Sequence, residues 1–459
     1  MKPLQSKPVA AAPAAAAVAV PATLLSPLLR RLDLLILLLV KSYLLVDALN
    51  GFVQQQFGQG LALSAAYKSV IMALMLWSCA LTLGRHILLL PLLLVLLLTG
   101  PVVSFFSLGH AAGFSYDIGM ALKLAAPLLA AWYCYSLCQR DAALAQRNLH
   151  QLMWFGFAII VLNLLLGRLG YGLSAYLPSD YFPDQQLGSK GFFKATNELS
   201  ALLLVFSAYL FAWYWPRQKA VFAVVLLASL FCSSTLLTKT GNAGVVLLAL
   251  LIPLLQARPR WQAHRQWIRW ALGGGLLLAL LLAWQLPALL PHLPLSEKQQ
   301  LVLQQQGAMG IVLSNRDLFV RDNWVFVEQY FPTWQHLFGV GNAGLALYSS
   351  KPLAEIDPAD LFIWFGVAGL AWYLLWFAGV IRLALTGWRQ APQSVAAGVL
   401  ALNLLLLVVA SMAGHVLTSG MLWIPWGMLN GAWALWISAE QRLSTDQRLS
   451  PKEHAHAAQ

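Results

Sequence analysis

The residues of this chain with the clearest capacity for chemistry are gathered in one polar stretch, residues 289–359. It contains two arginines, Arg316 and Arg321, and an acidic string in which Glu355 and Asp357 precede a long apolar run. Guanidinium groups bind phosphate oxygens, and a carboxylate can take a proton from an attacking hydroxyl. The stretch therefore combines groups that hold an anion with groups that suit general base catalysis.

The composition around this stretch predicts a membrane protein. Of 459 residues, 59% are hydrophobic and 10% are charged, whereas a soluble domain carries about 25% charged residues. Leu-rich blocks, rather than short alternating segments, exclude a membrane β-barrel. We predict an all-α polytopic membrane protein with about twelve transmembrane helices and a large, partly helical external loop between helices 9 and 10. The predicted spans are 32–50, 61–84, 87–106, 118–138, 149–168, 196–215, 220–238, 241–257, 268–288, 360–382, 393–412 and 415–438.

Basic residues in the short turns predict the orientation, because Lys and Arg are retained on the cytoplasmic side. Every second turn is basic, and the intervening short turns 51–60, 107–117 and 413–414 have neither residue type. Both termini are therefore predicted to be cytoplasmic, with 289–359 and a second polar loop, 169–195, outside. The net charge of +12 then reflects topology, and nucleic acid is not an expected partner. The basic turns carry Arg30, Arg31, Arg85, Arg140, Arg147, Arg217, Lys219, Arg258, Arg260, Arg265, Arg269, Arg382 and Arg389.

The chain divides into one membrane domain and two tails. Residues 1–30 are predicted to be a disordered cytoplasmic tail, 31–440 a single transmembrane domain that includes the loop 289–359, and 441–459 a second cytoplasmic tail. The four cysteines fall in predicted helices, so no disulfide framework holds the loops. The sequence lacks a Walker loop and the usual metal-ligand spacings, so we expect neither a nucleotide nor a metal nor another cofactor.

Positive charge is scarce on the predicted external side, and five of the residues that depart from this rule are candidates for a function. They are Lys190, Lys194, Lys239, Arg316 and Arg321. Ordinary loop solvation is one explanation. The sharper one is a clamp on an anionic headgroup such as a pyrophosphate, where several side-chain cations substitute for a metal.

The two arginines differ in their local setting. Ser314 and Asp317 have the spacing of a capping box, which predicts a helix that Pro332 ends. Asp317 and Arg321 would then pair at i, i+4 on that helix. Arg316 has no such partner on its own face, which makes it the stronger candidate for function.

Carboxylates at the membrane surface are the candidate bases. Glu355 and Asp357 precede the span that Asp360 begins, beside the predicted cations. Helix capping is the competing explanation, since acidic side chains favour helix N-termini, and it applies most strongly to Asp360. His415, at the external start of the last span, is a rival base.

Three lysines fall within predicted spans: Lys41, Lys68 and Lys123. An ionisable group in a membrane is costly and usually faces a bundle interior or a cavity. Lys68 and Lys123 lie near the external ends and can extend outward, whereas Lys41 lies deeper and requires a partner. A cavity lined by these helices suits a polyprenyl phosphate, but a transport path would have the same appearance.

Three stretches resemble the bacterial O-antigen polymerase and O-antigen ligase superfamily. Gly191–Ser200 is similar to a basic-then-Asn segment that opens a helix, with Asn197 as an accessory candidate, and Leu236–Gly244 is similar to the next turn. Ser314-Asn-Arg316, Trp324, Phe338-Gly-Val-Gly341 and the acidic string follow the order of the large external loop of the superfamily.

The sequence departs from the superfamily at two places. Gly241 stands where an Arg is usual, with Lys239 displaced, and Glu355 and Asp357 occupy the region in which ligases carry a His-Asn pair. The second departure favours a polymerase over a ligase.

The resemblance implies a glycosyltransferase of the bacterial inner membrane that uses polyprenyl-pyrophosphate-linked oligosaccharide on the external leaflet. Arg316, Lys194 and Lys239 would stabilise the leaving pyrophosphate, and Glu355 or Asp357 would orient or deprotonate the acceptor. Expected partners are the lipid-linked oligosaccharide, membrane lipids and a chain-length regulator protein. A ligase that transfers glycan to lipid A core is one alternative. A lipid-linked oligosaccharide or polysaccharide transporter is another, for which inverted repeats would be expected.

Overall fold

Long apolar helices dominate the computed structural model, as the Leu-rich runs of the sequence predict. The structure describes residues 25–58, 62–109, 111–176, 187–257, 303, 313–314, 316–412, 414–433 and 435–436. The predicted span 268–288, both predicted tails beyond these ranges and most of 289–312 lie outside the described residues. The helices are α1 (Leu25–Phe57), α2 (Leu63–Leu83), α3 (Leu89–Leu108), α4 (Ala111–Arg140), α5 (Ala142–Arg168), α6 (Thr196–Tyr214), α7 (Lys219–Leu236), α8 (Lys239–Gln256), α9 (Arg316–Tyr330), α10 (Asn342–Leu345), α11 (Asp357–Gln390), α12 (Ala396–Met412) and α13 (Trp423–Gly431).

Within the described ranges, seven helical stretches are long and apolar enough to cross a membrane. One of them, Leu63–Leu108, contains α2 and α3 joined by a 3₁₀ turn, Gly84–Leu88, where two spans were predicted. The other six are Gly113–Arg140 within α4, α5, α6, α7, α8 and α11, and α12 is a shorter apolar helix. A multi-pass helical membrane protein is therefore confirmed, while the number twelve stays a prediction.

The last predicted span, 415–438, differs from the structure in its first third. Residues 414–422 form turns, and the helix α13 begins only at Trp423. Apolar composition alone predicted a continuous helix, but backbone N–H groups in these turns donate to the carboxylate of Asp357 instead of to carbonyls of a preceding helical turn. These turns place His415 and Thr418 at the cavity described below.

The predicted external loop 169–195 contains a two-stranded antiparallel ladder, which an all-α prediction did not include. Strand β1 (Leu173–Tyr176) pairs with β2 (Leu187–Gly191), with Tyr176 opposite Leu187. Asn163 near the end of α5 fixes this hairpin, because its side chain donates to Lys190 O at 3.1 Å and accepts from Phe192 N at 2.8 Å. The hairpin leads directly into α6.

Contacts between helix ends show that the predicted cytoplasmic turns share one end of the bundle. Buried Asp33 at the start of α1 pairs with Arg140 at the end of α4, at 2.8 Å. His150 near the start of α5 hydrogen-bonds Tyr209 in the last turns of α6, and Gln256 at the end of α8 donates to Ala212 O, also near the end of α6. The starts of α4, α6, α8 and α11 are consequently at the opposite end. Which end faces the cytoplasm stays a prediction.

Helix α11 is broken at Gly366, which has φ 62° and ψ −148° inside the helix. The break leaves carbonyl groups of α11 without their helical hydrogen-bond donors, and an apolar surrounding would make such unpaired groups costly. The Phe338–Gly341 segment satisfies two of them, since Val340 N donates to Ile363 O at 2.9 Å and Gly341 N donates to Trp364 O at 3.0 Å. The Gly-x-Gly run singled out in the sequence is thus a packing element that joins the loop to α11.

Two of the three intramembrane lysines have partners within the bundle. Lys68 forms an ion pair with Asp47 at 2.6 Å. Lys41 donates to the side-chain amides of Asn148 and Gln151 at 3.0 and 3.1 Å, so the partner it was predicted to require is a pair of amides. Lys123 has a different setting, in a cavity described below.

Candidate functional site

Arg316 and Glu355 form the central ion pair of the site. Arg316 begins α9, and Glu355 lies just before α11. The guanidinium donates from Nε at 3.2 Å and from Nη2 at 2.7 Å to the same carboxylate oxygen, Oε2. The side chains retain 15% and 25% exposure, so the pair is accessible from one side. The sequence assigned these residues separate roles, and the structure brings them into contact.

His415 faces the other oxygen of the Glu355 carboxylate. Its Nε2 lies 4.0 Å from Glu355 Oε1, and its Nδ1 lies 3.4 Å from the hydroxyl oxygen of Thr418. Glu355 therefore has one oxygen toward a guanidinium and one toward an imidazole. The backbone of Gly414, which precedes His415, also packs against that of Glu355, because a Cβ placed on Gly414 would lie 2.2 Å from Glu355 O.

Two buried carboxylates in the first turn of α11 hold these residues in place. Asp360 accepts from Ala354 N at 3.0 Å and from Glu355 N at 2.9 Å. Asp357 accepts from the backbone N–H of His415 at 2.7 Å, and its other oxygen accepts from residues 416 and 417. Asp357 and Asp360 have only 1% and 2% exposure.

This environment does not suit the role of general base that the sequence suggested for Asp357. Both of its oxygens are engaged by backbone N–H groups, and the side chain is enclosed. A base must lie within hydrogen-bond reach of the hydroxyl that it deprotonates. We interpret Asp357 as a residue that positions His415, and Asp360 as one that positions Glu355.

A cavity of about 370 Å³ opens beside Glu355 and His415. Its walls come from the start of α4, the start of α6, the end of β1, the segment before α11 and the turns before α13. The lining residues are Tyr116, Met120, Lys123, Tyr176, Ala195, Thr196, Asn197, Glu198, Leu353, Glu355, His415 and Thr418. Of the predicted site residues, Glu355, His415 and the accessory Asn197 meet here.

Residues 292–424 match the family model described as "O-antigen ligase like membrane protein". This match supports membership of the O-antigen ligase-like superfamily. The matched stretch contains Arg316, Glu355 and His415, so the ion pair and the imidazole lie in the part of the chain that resembles the family. No curated protein matches the chain.

The scarcity of external positive charge had grouped four further cations with Arg316 as a predicted pyrophosphate clamp, and the structure separates them. Lys239 at the start of α8 lies close enough to Arg316 for their charges to repel, and its Nζ is 3.5 Å from Ser314 Oγ. Lys194 is exposed before α6, while Lys190 on β2 is half-buried, and this burial lowers the pKa of its ammonium. Only Lys239 is thus placed beside Arg316.

Arg321 lies apart from the cavity, and its predicted pairing was wrong. It pairs with its neighbour Asp322 at 3.5 Å, and 72% of its side chain is exposed. The helix begins at Arg316, so Asp317 lies in the first turn, and Arg321 turns to the adjacent carboxylate. The predicted end of this helix before Pro332 is confirmed, since α9 ends at Tyr330.

Sequence reasoning did not assign four ionisable residues of the cavity to the site: Tyr116, Lys123, Tyr176 and Glu198. The position of Lys123 inside a predicted span was a sequence signal for a functional role. Glu198 directly follows the accessory candidate Asn197 in the sequence. Tyr176 belongs to the unpredicted hairpin, and burial raises the pKa of its phenol. Among the described residues there is no group of three or more His, Cys, Asp or Glu side chains that could hold a metal ion.

Proposed function

We propose that this superfamily member is a metal-independent membrane glycosyltransferase that polymerises oligosaccharide repeat units carried on polyprenyl pyrophosphate. Its site would face the periplasm, with both termini in the cytoplasm. The proposal rests on one observation above all: Glu355 and His415 line an open cavity, and Arg316 forms an ion pair with Glu355, at the bundle end opposite to the basic turns. The superfamily match supports lipid-linked oligosaccharide as the substrate class.

The proposed reaction is a displacement at an anomeric carbon. A hydroxyl of the incoming lipid-linked repeat unit attacks the anomeric carbon of the growing chain. The new glycosidic C–O bond forms as the bond from that carbon to the pyrophosphate oxygen breaks. Polyprenyl pyrophosphate leaves with the electron pair, and the proton of the attacking hydroxyl passes to a base on the protein.

Glu355 and His415 are the candidates for that base. Both Arg316 hydrogen bonds go to Oε2 of Glu355, so Oε1 is directed toward His415 and the cavity. A hydroxyl located between Oε1 and the imidazole would meet two acceptors within one site. Asp360 and Asp357 fix these two groups through their backbones, which keeps the geometry constant when substrate enters.

Arg316 and Lys239 are proposed to stabilise the leaving pyrophosphate. Two cations held close together repel each other, and an anion placed between them removes that repulsion. The partly buried setting of Arg316 strengthens a charge-assisted contact relative to one in water. The guanidinium can keep one N–H on Glu355 while others engage phosphate oxygens, because it has five donors.

The deciding experiment supplies the purified full-length protein with lipid-linked repeat units alone, in buffer that contains EDTA and no nucleotide. A polymerase yields a ladder of lengths. Unchanged substrate would contradict the proposal, and activity that requires added magnesium or manganese would show that cations of the chain do not replace a metal. A chain-length regulator, if it is a partner, would narrow the ladder when it is added.

An O-antigen ligase is the second candidate, since the matching family is described by that activity. The same assay separates the two, because a ligase leaves repeat units unchanged until lipid A core is added as acceptor. Transport is the candidate from another class. Reconstituted vesicles that move labelled lipid-linked oligosaccharide across the bilayer, with no change in its length, would favour it over both transferases.

A further inference from the structure

We propose that the inner part of the cavity, between Lys123 and Glu198, is a sugar-binding subsite that holds a polyhydroxylated ring of the oligosaccharide. The proposal deepens the proposed function, on which it rests, by assigning recognition of sugar to residues outside the matched stretch. Neither Lys123 nor Glu198 belongs to the proposed chemistry of Arg316, Glu355 and His415. Both line the same cavity, Lys123 from α4 and Glu198 from α6.

Lys123 is a charge in a membrane-spanning helix that the described part of the chain does not neutralise. Its Nζ lies 3.9 Å from Met120 Sδ, a weak acceptor, and within the described ranges no carboxylate is within 4.0 Å of it. A lysine in a span is costly and generally faces a partner or a water-filled cavity. The other two intramembrane lysines have good partners in the bundle, so Lys123 is the exception that lines a cavity.

Glu198 has one oxygen occupied and one available. Ser419 Oγ accepts from Met421 N at 3.3 Å and from Leu422 N at 3.2 Å, and it donates its own hydrogen to Glu198 Oε2. This hydroxyl anchors the carboxylate at the start of α6. In the part of the chain that the structure describes, Oε1 has no hydrogen-bond partner, and the side chain borders the cavity.

Lys123 and Glu198 approach the same short segment, residues 419 and 420, from different helices, which brings them to a similar depth of the cavity. Lys123 Cε is 3.9 Å from the position of a Cβ on Gly420, next to the Ser419 that binds Glu198. Lys123 is seven residues beyond Tyr116 on α4, which places it about 10 Å farther along the helix at 1.5 Å per residue. The subsite is therefore the inner end of the cavity, and Tyr116 lies nearer its opening.

Further uncommitted polar groups complete the subsite. Asn197 and Tyr116 line the cavity, and neither side chain has a hydrogen bond to the described residues. The cavity thus presents an ammonium, a carboxylate oxygen, an amide and a phenol, which include donors and acceptors. Pockets that bind small polar molecules combine a few such groups with apolar walls, here Met120 and the tyrosine rings.

The mixture of charges identifies the ligand chemistry. A phosphate would gain from Lys123 but would be repelled by Glu198, whereas a sugar hydroxyl both donates and accepts and can satisfy each group. Anion binding is assigned to Arg316, which contacts the lining residue Glu355. A polyhydroxylated ring is the ligand that pairs with every group of this subsite at once.

The test measures binding separately from transfer. The probe is the single free repeat unit that mild acid releases from the lipid-linked intermediate of the source cells, and full-length protein in nanodiscs is titrated with it by saturation-transfer NMR. Lys123→Met and Glu198→Gln should each raise Kd about tenfold or more, as expected when a hydrogen bond to a charged group is lost. Exposed Lys351→Met and Glu328→Gln are matched controls and should bind as the wild type does.

Each outcome decides one proposal. Wild-type protein that does not bind the free unit, or variants that bind it as tightly as the wild type, would overturn the sugar subsite even if a polymer ladder forms. Weakened binding in both variants, with matched controls unaffected, would support the subsite even if no ladder forms, and in that case the polymerase proposal alone fails. Thermal melting of each variant verifies that the bundle is intact.

Discussion

Glu355 and His415 face each other across 4.0 Å, between carboxylate Oε1 and imidazole Nε2, and each has a positive φ, 67° and 61°. Residues other than glycine in such conformations cost about 1–3 kcal/mol each and persist where the surroundings fix them. Here the surroundings are two buried carboxylates, Asp360 on the Glu355 backbone and Asp357 on that of His415. Strain on both partners of one contact is the pattern expected of a functional site.

Replacement of Glu355 by Gln should abolish most turnover while preserving the fold. The amide keeps the size of the side chain and can still accept from Arg316, but it cannot take a proton, and general base catalysis contributes about 10²–10⁴ in rate. The measurement is the rate of ladder formation, with Glu328→Gln as the control for loss of an exposed carboxylate. Normal turnover in a well-folded Glu355→Gln protein would shift the base role to His415.

Replacement of Arg316 by Ala should slow turnover roughly ten- to hundredfold, because a charge-assisted contact in a partly desolvated site contributes about 1.5–3 kcal/mol. Arg316→Lys should recover only part of the rate, since an ammonium cannot grip two oxygens at once. Arg316 and Glu355 are in contact, so the effects of their substitutions on the activation free energy should be non-additive. The double variant Arg316→Ala with Glu355→Gln should lose less than the sum of the two single losses. Additive effects would mean that the ion pair is not part of the mechanism.

Asp357→Asn distinguishes a positioning residue from a base. In the wild type, two carboxylate oxygens accept from three backbone N–H groups. The amide has only one acceptor oxygen, so the turns at 415–417 should loosen. We expect kcat to fall while KM for the lipid-linked donor stays near the wild-type value, since Arg316 is intact. Asp357→Glu should restore part of kcat. A purely structural role would lower the melting temperature and leave the kcat of the folded fraction unchanged.

The sequence predicted the elements better than the way they meet. The apolar runs located most of the described helices within a few residues, because hydrocarbon thickness imposes their length. Arg316 was singled out for lacking a partner on its own helix, yet its partner Glu355 is contributed by a loop far along the chain. No local pattern encodes that pairing, since it depends on how α9 packs against α11.

The missed parts of the site share a physical reason. Residues 415–422 are apolar enough for a span, but the buried carboxylate of Asp357 and the hydroxyl of Ser419 accept their backbone N–H groups and favour turns. Glu198 resembled an ordinary first-turn acid, and its hydroxyl anchor on Ser419 comes from a distant segment. Lys123 was noticed for its cost in lipid, but the cavity that it lines is formed by five separate parts of the chain.

Cysteine labelling tests the predicted orientation. All four native cysteines are buried, so background labelling should be low. A cysteine at exposed Lys351, at the site end, should react with impermeant thiol reagents in intact spheroplasts. One at exposed Gln218, between α6 and α7 at the opposite end, should react only after permeabilisation. The reverse pattern would place the cavity in the cytoplasm and end the proposal of periplasmic chemistry.

Gly366→Ala should destabilise the protein through the break in α11. The position has φ 62° and ψ −148°, a region occupied almost only by glycine, and a non-glycine residue there costs about 1–3 kcal/mol. The added Cβ would also lie 2.1 Å from Leu337 O, which forces the loop away from the helix. Gly379→Ala is the matched control in the same helix, since a Cβ there meets no atom within 4 Å. Thermal melting in detergent should show a clear decrease for Gly366→Ala and none for Gly379→Ala. Equal melting temperatures would mean that the break in α11 does not depend on glycine.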